Sequence, residues 1–302
     1  MTNTPGQDLQ ALIHKGMEVH QAGNLAEAEA LYQRVLEVDA DHADANHLLG
    51  MVALQNGDHK TADELISKAI KANPNISAFH SNHGLALLEL GKTGDATAAF
   101  QKAVEINPDH VEAQNNLANC LKDQGDLESA ANGFKRVVGL NPGYAEGHNN
   151  LGITLMDMGH LDEAAASFRE AIRIKPNYFA AHNNLGLAYH KLANPSDAVP
   201  CFEKALEINP DHPEVHSNLG NAYQALGRLE EATDKYRKAV SLDPNFAEAH
   251  CHLGTVLSDL GQLDEALSCF KKTLALSPNH LRAQKNYLYT LLYHPEISSK
   301  EL

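Results

Sequence analysis

Tryptophan is missing from this chain, and its 6% aromatic content is phenylalanine and tyrosine alone. Cysteine is scarce: Cys120, Cys201, Cys251 and Cys269 form no CxxC pair, which excludes a disulfide-stapled scaffold and reads as reduced thiols. No apolar run approaches the ~18 residues of a membrane span. The opening "MTNTPGQDLQ" has neither a positive n-region nor an apolar h-region, so no signal peptide is read. Basic runs are absent too. Lys and Arg number 24 against 39 Asp and Glu, a formal net charge of -15, which excludes nucleic acid or an anionic membrane as the main partner. The expected compartment is the cytoplasm.

What is present is a period. Gly16, Gly50, Gly84, Gly152, Gly186, Gly220 and Gly254 fall on a 34-residue grid, with Ala118 at the missing point. Units of 34 residues then run 9–42, 43–76, 77–110, 111–144, 145–178, 179–212, 213–246 and 247–280, after a tail at 1–8 and before a partial ninth unit at 281–302. Position 20 of each unit is alanine (Ala28 through Ala266). Position 24 is Phe or Tyr except at Ile66, and position 32 is proline except at Ala40.

Each unit reads as two helices. Glycine at position 15 suits the left-handed turn that closes the first helix. Asn24 with Glu27, and Asn194-Pro195 with Asp197, are N-cap signals for the second. Proline at position 32 marks the turn that follows. Small residues at 8 and 20 let the two helices approach, with the ring at 24 beside them. This spacing resembles the tetratricopeptide repeat, W-x2-L-G-x2-Y then A-x3-F then P, over residues 9–280. The fold the resemblance implies is an all-α, right-handed solenoid. Position 4 departs from the family pattern: it is never Trp, but His80, His148, His182, His216 and His250, with Leu12, Asn46 and Gln114 elsewhere.

Helical geometry gathers positions 4, 7, 8 and 11 of the first helix on its packing side and predicts that 2, 5, 6, 9, 12 and 13 lie opposite. That outer set is rich in asparagine. Position 6 carries Asn82, Asn116, Asn150, Asn184 and Asn218, then His252, then Asn286. Position 5 adds Asn115, Asn149 and Asn183; position 9 adds Asn119 and Asn221; position 13 contributes Asp123, Asp157 and Asp259. Neighbouring first helices lie about 10 Å apart in a stack, so an extended chain rising ~3.3 Å per residue passes one rung every three residues. An Asn amide offers a donor and an acceptor, which suits a peptide backbone whatever its side chains. The bland alternative is a solvated face, or recent duplication of one unit.

The two-carboxylate clamp of some tetratricopeptide proteins needs Lys or Arg at positions 2, 5 and 6. Position 2 here is Asp44, Ala78, Glu112, Glu146, Ala180, Glu214 and Glu248, so that clamp is not expected. The asparagine ladder instead resembles the repeat region of O-linked N-acetylglucosamine transferases, which implies a concave groove gripping acceptor polypeptide. The passage from Asn286 to Ser298 is similar to the junction that precedes the catalytic region in bacterial and Spindly-type relatives. Tyr287, Leu288, Leu291 and Leu292 form an apolar helix expected to end near His294-Pro295, and Ser298 with Glu301 is a capping box for another. A chain stopping at Leu302 on apolar surface reads as a fragment, with no catalytic residues of its own.

Other chemistry is weak. "GKT" at 91–93 lacks the glycine a phosphate loop requires and joins two helices. Eighteen histidines invite a metal, but the position-4 set recurs once per unit, which favours packing or hydrogen bonding. "NIS" at 75–77 is a glycosylation triplet without a secretory context. No cofactor or metal is expected. The expected partners are extended polypeptides or other proteins, with homodimerisation through the convex face open. The alternatives are a free-standing tetratricopeptide adaptor, or the repeat arm of another enzyme such as a sulfotransferase.

Overall fold

The computed structural model describes residues 5–294, which form seventeen α-helices and, among those residues, no strand. They divide into two compact units at Pro142 and Gly143. The first unit holds α1 (Pro5–Gln21), α2 (Leu25–Val38), α3 (Ala43–Gln55), α4 (His59–Ala72), α5 (Ser77–Glu89), α6 (Thr93–Ile106), α7 (Val111–Asp123) and α8 (Leu127–Leu140). The second holds α9 (Ala145–Asp157), α10 (Leu161–Ile174), α11 (Phe179–Lys191), α12 (Pro195–Ile208), α13 (Pro213–Ala225), α14 (Leu229–Leu242), α15 (Ala247–Asp259), α16 (Leu263–Leu276) and α17 (Leu281–Leu292). The first helix begins at Pro5, inside the segment read as a tail; proline fits a first helical turn, whose N–H has no acceptor anyway.

Within each unit, odd- and even-numbered helices pair as hairpins, and each hairpin packs on the next. The alanines at position 20 and the rings at position 24 are completely buried, from Tyr32 through Phe100, Phe134, Phe168, Phe202 and Tyr236 to Phe270. The glycine at position 8 is a matter of space. A Cβ on Gly186 would stand 2.6 Å from Cε1 of Phe202, and Gly84, Gly152, Gly220 and Gly254 meet their own rings at 2.6–2.7 Å. The fourth hairpin makes room differently. Ala118 supplies a Cβ at position 8, while the residue facing it is Gly133, whose own Cβ would lie 2.9 Å from that of Ala118.

The hairpin turns follow the glycine pattern. Gly159 and its equivalents stand at φ between 72 and 83°, and Ala193 holds the same place at φ 55°. Asn24 and Asn194 cap α2 and α12 as expected, accepting from the N–H of Glu27 and Asp197, while their Nδ2 atoms donate to those residues' carboxylates at 2.8 Å. Asp58 and Asp126 cap α4 and α8 by accepting from the N–H of Thr61 and Ser129. The helix α17 ends at Leu292, close to the expected stop at His294-Pro295. Pro295 and the Ser298–Glu301 capping box lie outside the described residues. No helix among the described residues is long and apolar enough to cross a membrane.

Candidate functional site

The position-4 residues are hydrogen-bonding posts. His80, His182 and His216 each donate Nε2–H to the carbonyl of the proline six residues earlier, at 2.8 Å (Pro74, Pro176, Pro210), and His250 reaches Pro244 at 3.1 Å. Asn46 does the same to Ala40 at 2.9 Å, Gln114 to Pro108 at 3.0 Å and Gln284 to Pro278 at 2.8 Å. That carbonyl belongs to the turn between hairpins, so the side chain satisfies a backbone acceptor that no helix serves. Leu12 occupies position 4 in the first hairpin. The hydrogen-bonding reading of these histidines therefore holds.

Other histidine contacts are local. His83 donates Nε2–H to Asp63 at 2.7 Å, and Ser67 meets the same nitrogen at 3.2 Å. Ser, His and Asp here share one ring atom, so no proton relay runs through the imidazole to the hydroxyl. Among the described residues no cluster of His, Cys, Asp and Glu is placed to hold a metal ion, and the four cysteines are unpaired. Gly91 of the "GKT" triplet sits in the α5–α6 turn at φ 72°.

The first-helix face is narrower than helical periodicity implied. Positions 2, 6, 9 and 13 form its open strip; in α9 these are Glu146, Asn150, Ile153 and Asp157, and in α13 Glu214, Asn218, Asn221 and Ala225. Position 5 is not part of it. Asn115 and Asn149 are buried at 7% and 4% exposure, beside Ser81, Ser217 and Cys251 at the same position. Asn183 is half-buried with its Oδ1 enclosed. The expectation that position 5 faces outward fails: within each unit consecutive first helices touch, and in the second unit position 5 lies in that seam, where Asn149 meets Asn184 of the next first helix.

The position-6 asparagines are all half-buried and fall into two sets. Three reach back to the preceding first helix: Asn82 donates Nδ2–H to Nε2 of His47 at 2.8 Å, Asn184 to Oδ1 of Asn149 at 3.0 Å, and Asn286 to Oγ1 of Thr255 at 3.1 Å. Among the described residues the side chains of Asn116, Asn150 and Asn218 make no such bond, and all three are half-buried at the open strip. Of the remaining expected site residues, Asn119 is half-buried on the strip and Asp123 and Asp157 are exposed at its end. Asn221 is half-buried and accepts the Tyr236 hydroxyl at 2.7 Å, which Gln224 shares at 3.0 Å.

Residues 78–287 match the family described as cilia and flagella-associated protein 70 C-terminal domain, and residues 19–81 match the tetratricopeptide repeat. The chain belongs to the tetratricopeptide repeat family. Over 78–287 it belongs to the first of those two families, whose ciliary name describes its namesake. No curated protein matches the chain.

Solved tetratricopeptide structures are similar to it. YrrB, described as a tetratricopeptide protein with an unusual peptide-binding site, is 25% identical, covers 63% of this chain and 97% of its own, and superposes with a TM-score of 0.55. MamA is 28% identical over 54% of this chain and 95% of its own, at 0.51. Pseudomonas aeruginosa pilF, at 22% identity, 70% and 97% coverage and a TM-score of 0.61, shares the fold. The chain is thus a tetratricopeptide interaction scaffold, and no catalytic domain is evident in it.

Proposed function

We propose that the open strip of first helices binds extended polypeptide through its asparagine side chains, within each compact unit. One observation carries the reading: on that strip the amides of Asn116, Asn150 and Asn218 have no hydrogen-bond partner among the described residues. An amide donor beside an amide acceptor matches the alternating C=O and N–H of an extended backbone, and each such bond is worth ~0.5–1.5 kcal/mol net. Asn184 contributes its remaining carbonyl and, through Asn149, holds α9 and α11 in register. The peptide-binding site named for YrrB supports a groove of this kind.

The resemblance of the ladder and of the passage from Asn286 onward favours a finer role, presenting acceptor polypeptide to an O-GlcNAc transferase-like protein glycosyltransferase. In an adaptor, the same strip would hold a complex together. Sequencing the gene beyond Leu302 separates them: a nucleotide-sugar-binding region supports the transferase arm, and a stop codon the adaptor.

The groove itself is tested by changing Asn150 and Asn218 together to Ala. Affinity for unrelated extended peptides should fall ~5–150-fold, as two lost hydrogen bonds imply, while helicity and thermal midpoint stay put. Unchanged affinity in a folded variant sinks the reading.

A further inference from the structure

At the last two full hairpins of the second unit, the strip opens into a cavity of about 360 Å³ lined by His190, Asn221, Gln224, Ala225, His252, Thr255 and Arg282. None of these seven side chains is acidic, in a chain carrying 39 Asp and Glu. Arg282 stands at position 2, where Glu146, Ala180, Glu214 and Glu248 precede it in the second unit, and it is exposed without a carboxylate or hydrogen-bond partner among the described residues. The nearest equivalent acid, Glu248, already engages His280 at 3.2 Å and lies 3.8 Å from His252.

The floor is fixed in place. His252 stacks on the buried Tyr236 ring, with centroids 5.5 Å apart and planes at 10°. The Tyr236 hydroxyl in turn donates to Asn221 and Gln224, which leaves the Nδ2 and Nε2 groups of those two residues as donors. Amide donors and a guanidinium thus line one exposed cavity, while the Thr255 hydroxyl beside them is already committed, donating to the Cys251 carbonyl at 2.9 Å and accepting from Asn286 at 3.1 Å.

We propose that this cavity is a specificity pocket for the side-chain carboxylate of an Asp or Glu within an extended peptide. It rests on the groove reading above and adds sequence preference to it. The planar guanidinium of Arg282 can take a carboxylate through two parallel N–H bonds, with the amides of Asn221 and Gln224 completing its lone pairs. A monoanion fits the charge balance: one arginine compensates one carboxylate, whereas a phosphate dianion would leave charge uncompensated beside Glu248.

The test uses the full chain and an N-acetylated, C-amidated decapeptide of Ala and Ser carrying one central Glu, with its Gln counterpart, both measured by fluorescence anisotropy at low salt. The Glu peptide should bind about 5–10-fold tighter, the gain of one charge-assisted bond over a neutral one. Arg282→Gln should erase that ratio and leave the Gln peptide's affinity within about two-fold of its original value. Equal binding of the two peptides by the unaltered chain overturns the pocket but leaves the backbone groove standing, and binding of neither overturns both. A Glu preference that survives Arg282→Gln also overturns the pocket. Two further probes test the chemistry: a Gln peptide with a free C-terminus and one with phosphoserine in place of Glu. An Arg282-dependent gain larger than that of Glu in either one reassigns the cavity to a chain end or a phosphate, against this proposal.

Discussion

Ala193 holds φ 55° at a hairpin turn where the other seven hairpins place glycine. Left-handed backbone costs a residue with a Cβ roughly 1 kcal/mol, and glycine's greater freedom when unfolded returns part of that. Ala193→Gly is therefore expected to stabilise the second unit by ~0.5 kcal/mol, read as a raised thermal midpoint; a lowered midpoint would refute the account. At position 4, the partner atom decides the outcome. His182→Gln should be nearly neutral, because Gln114 and Gln284 already make the same bond to a turn carbonyl. His182→Leu leaves the Pro176 carbonyl unserved and should cost ~1–3 kcal/mol in urea unfolding.

The same scale governs acid sensitivity. Burial lowers the pKa of His47 from 6.5 to about 4 against the opposing pull of Asp44, and its Nε2 must stay unprotonated to accept from Asn82. Burial also lowers His216, His250 and His252. A base with a depressed folded-state pKa is protonated first in the unfolded chain, so its contribution is complete above pH ~6.5 and drains as pH falls toward the folded value. Stability should decline from pH 6.5 toward pH 4. His47→Gln should flatten that decline; unfolding midpoints of both proteins at pH 7 and pH 4.5 that move in parallel would refute the assignment.

Between helices, shape is conserved by exchange rather than by residue identity. Position 8 yields its Cβ to the position-24 ring in most hairpins, whereas in α7 and α8 Ala118 keeps it and Gly133 gives way. Gly133→Ala should destabilise the first unit by ~1–3 kcal/mol through overpacking, and Ala118→Gly introduced with it should recover much of the loss. Additive costs in that double-mutant cycle would mean the two sites do not share one space. The seam between first helices works by the same logic, with Asn149 and Asn184 forming a side-chain bond that ties α9 to α11.

For the molecule as a whole, every hairpin contacts only its neighbours within a unit, so stability is a sum of local terms. In the second unit α17 has the fewest anchors: of its side chains only Ala283 and Thr290 are buried, while Leu281, Leu288 and Leu292 are 58–79% exposed. Within the second unit, amide hydrogen exchange should be fastest in α17 and slowest in α11 to α14, whose rings are sealed from both sides. Uniform protection across the second unit would contradict this additive picture.

Periodicity alone determined the helix pairs, the glycine turns, the ring-and-alanine core and the expectation of a binding face, because each depends on geometry repeated every 34 residues. A helical wheel, however, describes one helix in isolation. It cannot register that within the second unit the next first helix, α11, covers position 5 of α9, so a wheel puts Asn149 on the open face whereas the structure buries it against Asn184. Nor can it separate asparagines that bond their neighbours, such as Asn82 and Asn184, from those left open, such as Asn150 and Asn218. Arg282 shows the same limit: it puts a cation at a position that is acid or alanine in units two to eight, but only the packing of α11, α13, α15 and α17 gathers it with Asn221 and His252 around one cavity.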